Sequence, residues 1–154
     1  MRFAIKRPLT VGLTCVAVAL LLLARAPVHA GFALDVLPSM VLIGLGAGIA
    51  FNPMLLAAMS DVEPQDSGLA SGIVNTAFMM GGALGLAVLA SVASSRTASL
   101  RADGASVASA LTGGYHLAFA VGALFALAAA AVAAVRLRVA RQAPPAAEPA
   151  VELA

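Results

Sequence analysis

The chain has 154 residues, of which 62% are hydrophobic and 10% charged, with a formal net charge of +2. Soluble domains are about a quarter charged, so nine Lys/Arg and seven Asp/Glu cannot cover the surface of one. That composition excludes an ordinary soluble enzyme and a disordered chain, and the scattered basic residues make no stripe for nucleic acid.

Length is therefore better counted in bilayer crossings of about 20 apolar residues each. Charged residues cut the sequence into four apolar blocks, 8–24, 36–59, 67–95 and 115–135. Each is expected to be a helix, because hydrocarbon demands that backbone polar groups be satisfied internally. The expected fold is an all-α integral membrane protein with four transmembrane helices. Residues 1–7 form an N-terminal segment and 8–138 the membrane domain. The Pro/Ala-rich 139–154 reads as a disordered tail.

The first block opens on Pro8, which suits a first helical turn. Its basic start and the small residues near Ala30 also resemble a secretory leader. Arg25 interrupts that pattern before the supposed cleavage site. The second block contains Gly44 and Gly48, four apart, and Asn52-Pro53. Pro53 removes a backbone bond and is expected to kink the helix. Asn52 is placed to satisfy a freed carbonyl.

The third block carries Gly68/Gly72 and Gly81/Gly85 at the same four-residue spacing. Gly68, Gly72, Asn75, Met79 and Gly82 recur at steps of three and four, which is one helix face. Such small-residue stripes let membrane helices approach closely, so this face is expected to meet another helix. Asn75 reads as a mid-membrane amide, either packing through an interhelical hydrogen bond or lining a substrate path. The connection 96–114 reads as a long loop, with Tyr115 and His116 opening the fourth helix.

Arg2, Lys6, Arg7, Arg136, Arg138 and Arg141 fall on one side of this scheme, and Arg25, Arg96 and Arg101 on the other. That asymmetry predicts both termini in the cytoplasm and a multi-pass protein of the cell membrane. No Asp, Glu, Lys, Arg or His lies in the middle of a block, so a proton-coupled device would need its titratable group from elsewhere. Cys15 is the lone cysteine, and His29 and His116 have no second ligand beside them. No metal, cofactor, catalytic group or nucleic-acid partner is expected. The lipid bilayer is the expected partner.

The run from Gly44 through Asn52-Pro53, then Gly68 to Thr76, then Gly81-Gly82-Ala-Leu-Gly85, resembles the C-terminal part of major facilitator superfamily transporters. The fourteen-helix drug:proton antiporter family is the nearest likeness. Gly114-Tyr115 and the basic tail resemble the way its members end. The resemblance spans about residues 7–138. It implies the last four helices of a multidrug efflux antiporter, the second to fourth forming a complete triplet. It also implies that the chain lacks the N-terminal half and two further helices, and so does not transport a small amphiphilic substrate alone. Where family members often carry an Arg-Gln pair, this chain has Phe78 and Met79. The alternative is a small stand-alone multi-pass protein that packs against a partner transporter.

Overall fold

A computed structural model describes residues 6–28, 31–60 and 62–136. The 139–154 tail, the first five residues and His29 lie outside the described residues. Among those described there are four α-helices: α1 (Lys6–Leu23), α2 (Leu37–Met59), α3 (Ser67–Ala102) and α4 (Val107–Arg136). A π-helical turn, Phe32–Val36, leads directly into α2, and a 3-10 turn, Pro64–Asp66, leads into α3. The segments Phe32–Met59, Pro64–Ala102 and Val107–Val135 are long and apolar enough to cross a membrane. Arg7–Leu23 is a shorter apolar helix.

The helices follow the blocks but outrun them. The expected loop at 96–114 shrinks to a turn, because 96–102 contains no helix breaker and continues α3. The turn is built from local signals. Gly104 adopts φ 86, its N–H donates to Arg101 O, and the Ala105 N–H donates to Leu100 O. This is the glycine-terminated double bond that closes helices. Ser106 then caps α4 by accepting the Ser109 N–H at 3.3 Å. Tyr115 and His116 consequently sit in the third turn of α4 and do not open it. Gly104→Ala, which forces a side chain into the left-handed region, is expected to cost about 1–2 kcal/mol. A lowered thermal midpoint in detergent measures it.

Packing follows small residues. α1 lies between α2 and α4, α3 packs on α4, and α2 touches α3 only lightly. The buried apolar residues are Leu9 and eight alanines: Ala17, Ala19, Ala50, Ala110, Ala118, Ala123, Ala130 and Ala133. The large apolar side chains point outward, with Leu86 at 70% exposed and Leu84 at 64%. A soluble protein rarely exposes so much contiguous apolar surface. Helices that associate in lipid do so through small residues, and this inside-out distribution is that pattern.

Close approaches fix the register of the antiparallel helices. A Cβ on Gly12 would lie 2.5 Å from Gly46 O and 2.9 Å from Ala50. A Cβ on Gly122 would contact Leu20 of α1 at 3.4 Å and Leu89 of α3 at 3.7 Å. His116 Nε2 lies 2.7 Å from Ala26 O. Following these pairs at equal rise, Arg7 is level with about Met54, Thr76 and Val135. Arg25 is level with about Val36, Ser94 and Leu117. The two levels are about 27 Å apart at ~1.5 Å per residue. Asp35, Arg96, His116 and Arg136 each fall just outside them, and no charged residue falls between. A charge-free layer of that depth matches the ~30 Å hydrocarbon core of a bilayer. The alignment has weight because the glycine contacts, which give the same register without His116, involve no charged side chain.

Candidate functional site

The residues singled out by sequence gather around α2 and α3. Phe51 of α2 and Phe78 of α3 meet edge to face, with centroids 6.1 Å apart and planes at 86°. This aromatic pair links two helices that meet only lightly. Asn75 lies one turn before Phe78 on the same face, and Asn52 is the chain neighbour of Phe51. The pair thus brings both asparagines to one height, close to the Arg7 level. Asn75 is therefore at the edge of the charge-free layer, not at its middle. The sequence reading missed this because it centred Asn75 in block 67–95, whereas the first turns of α3 lie beyond the Arg7 level.

Both asparagines are exposed, and neither side chain makes a hydrogen bond with the described residues. Asn52 does not take up the carbonyl that Pro53 leaves free. α2 nevertheless runs unbroken through Pro53 from Leu37 to Met59. The neighbouring hydroxyl of Thr76 donates to Gly72 O at 2.8 Å and is satisfied within its own helix.

The glycine stripe of α3 faces open space within this chain. Cβ atoms built on Gly68, Gly72, Gly81, Gly82 and Gly85 would meet nothing within 4 Å, and the same holds for Gly44 and Gly48 of α2. Met79, on the stripe, is 67% exposed. α3 and α4 are held together at the other end, where a Cβ on Gly113 would meet Leu100 at 2.5 Å and one on Gly114 would meet Ala93 O at 2.6 Å. Towards the Arg7 level α4 offers bulky residues. Phe125 and Val132 follow Ala118 at seven-residue spacing, on the same face, and both are exposed. The half of α3 towards the Arg7 level therefore leaves an uncovered face bearing Asn75, Met79 and Gly82.

The glycines that do pack are Gly12, Gly46, Gly113, Gly114 and Gly122, and the sequence reading did not single them out for packing. Adjacent Gly113-Gly114 within an apolar helix was the available signal. For Gly12 and Gly46 there was none beyond composition, since Gly44 and Gly48 fit the four-residue pattern better. A separate shallow groove on the outer side of α1 is lined by Thr10, Val11, Thr14, Cys15, Val18 and Leu42. Its threonine hydroxyls donate to the carbonyls of Arg7 and Thr10, at 3.2 and 2.7 Å, so its wall is effectively apolar.

The chain is 43% identical over 94 residues to a puromycin resistance protein of Streptomyces alboniger, a match covering 57% of this chain and 19% of that protein. It is 40% identical over 105 residues to a cephamycin export protein of Amycolatopsis lactamdurans, covering 68% of this chain and 20% of the relative. The chain thus spans about a fifth of the length of the curated relatives it matches. No family model matches it, and no solved structure does. An all-helical chain with apolar, membrane-length segments is similar to a stretch of two antibiotic resistance and export proteins.

Proposed function

We propose that this chain is a four-helix portion of a major facilitator superfamily transporter of the drug:proton antiporter type, lying in the cell membrane with both termini in the cytoplasm. The 40–43% identity to the resistance and export proteins carries the reading. Supporting it, the aligned charge levels fit four spans, with the shorter α1 reaching from one level to the other. The six-to-three distribution of basic residues supports the orientation. The substrate of the assembled transporter is a small amphiphilic molecule of the antibiotic kind that the relatives' names describe.

The role of these helices is to supply packing surface and cavity wall, without chemistry. Transporters of this class rock two repeat bundles around a midplane site, and four helices make less than two bundles. Between the charge levels there is no Asp, Glu, Lys, Arg or His, so the proton-coupling group belongs to helices outside this chain. The open α3 face with Asn75, Met79 and Gly82 is where those helices, or a partner membrane protein, would pack. Asn75 at its lower edge then faces the cytoplasmic mouth of the assembly.

The test is transport by the chain in reconstituted vesicles. An imposed pH gradient is expected to drive no puromycin accumulation above empty vesicles. Accumulation above that level would contradict the division of labour proposed for this chain.

A further inference from the structure

The connection between α1 and α2 is short, and its side chains do not suit an ordinary loop. Val28, Phe32, Leu34 and Leu37 are all exposed, Phe32 at 63% and Leu34 at 85%. One exposed apolar residue needs no explanation. Four within ten residues, flanked by Arg25 and interrupted by Asp35, do. The register puts Val36 at the Arg25 level, so Leu34 and Phe32 lie within ~6 Å beyond it. A bilayer of ~40–45 Å with a ~30 Å core has an interfacial zone of about that depth on each side.

The backbone of the segment is also prepared for a place where water is scarce. The Gly31 carbonyl accepts from Leu34 N–H at 3.2 Å and Asp35 N–H at 2.9 Å. The Gly31 N–H donates to Asp35 Oδ2 at 2.7 Å, and the Leu37 N–H donates to Phe32 O. The π-helical turn thereby occupies amides that would otherwise be costly to dehydrate. Leu21 and Leu22 near the end of α1 and Met40 and Val41 near the start of α2 are exposed as well.

We infer that Val28, Phe32 and Leu34 form an anchor that lies in the lipid–water interface at the Arg25 level, its occupant being the headgroup and upper acyl region of that leaflet. Arg25, exposed at the same height, stands where lipid phosphates are. Such an anchor fixes the height of the α1–α2 hairpin in the bilayer. The inference rests on the membrane-spanning reading above.

The chain contains no tryptophan, so single-tryptophan variants report position without background. Phe32→Trp and Leu34→Trp probe the anchor. Leu45→Trp, midway between the charge levels on α2 and 59% exposed, probes the spanning reading by itself. Each is reconstituted in phosphatidylcholine vesicles containing lipids brominated either near the glycerol or deep in the acyl chain. Residues 32 and 34 are expected to emit blue-shifted light, to lose most intensity to the shallow bromines and to resist aqueous acrylamide. Residue 45 is expected to lose most to the deep bromines. Water-like emission with full acrylamide quenching at 32 and 34, while 45 behaves as expected, would overturn the anchor alone. So would blue-shifted emission that neither bromine position quenches, which means cover by protein. Strongest deep quenching at 32 and 34 would overturn it as well. Escape of residue 45 from the deep bromines would overturn the spanning reading and the anchor with it.

Discussion

Gly46→Leu is expected to break the α1–α2 contact, whereas Gly48→Leu, two residues on, is expected to be neutral or slightly stabilising. At position 46 an added Cβ would lie 2.7 Å from Gly12 O and 3.0 Å from Cys15 Cβ and Val16 Cγ2. The nearest of these is backbone oxygen on the opposing helix, which cannot rotate out of the way. Overpacking of this kind costs about 1–3 kcal/mol and sometimes more, and a backbone partner puts Gly46→Leu at the top of that range. At position 48 nothing lies within 4 Å, so the remaining effect is the better helix propensity of leucine, of order 0.5–1 kcal/mol. Unfolding in mixed detergent micelles, followed by circular dichroism, separates the two. Equal loss from both variants would mean that α1 and α2 do not cross at Gly12 and Gly46.

Gly114→Ala is expected to release α3 from α4 although it adds a single methyl group. That methyl would lie 2.6 Å from Ala93 O and against Thr97 Oγ1. α3 has no buried residue of its own and meets α2 only lightly, so few contacts compensate. The expected cost is again about 1–3 kcal/mol, read as a lowered unfolding midpoint and faster tryptic cleavage at the exposed Arg96 and Arg101. Gly82→Ala is the control, since a Cβ there meets nothing within 4 Å. The comparison is informative because glycine spacing alone would favour Gly82 as the packing residue.

The elements were legible because hydrocarbon leaves a blunt record. Charged residues end apolar blocks, and α1 and α2 follow blocks 8–24 and 36–59 within a few residues. Charge marks where an apolar layer ends, however, and not where a helix ends. α3 therefore continues seven residues past Ser95, and α4 begins eight before Tyr115. Asp103-Gly104 and Ser106 carried the turn signal, which block-cutting by charge passed over. The asparagines were recognised as the polar residues of interest. Their height was not readable, because it depends on a register set by Gly12, Gly46 and Gly122 against their neighbours. Which glycines pack was likewise hidden, since close approach needs two helices and a spacing pattern describes only one.

The reading of the chain as part of an efflux transporter is tested most directly by transplantation. The matching stretch of the puromycin resistance protein is replaced by the corresponding residues of this chain, and puromycin tolerance of the host is measured beside the level of protein in its membrane. The chimera is expected to retain resistance, and Gly82→Leu within it is expected to abolish resistance while leaving the isolated chain as stable as before. A chimera that reaches the membrane in normal amount and confers no resistance would contradict the account. So would one in which Gly82→Leu has no effect, because the open face of α3 would then not be the surface that the remaining helices cover.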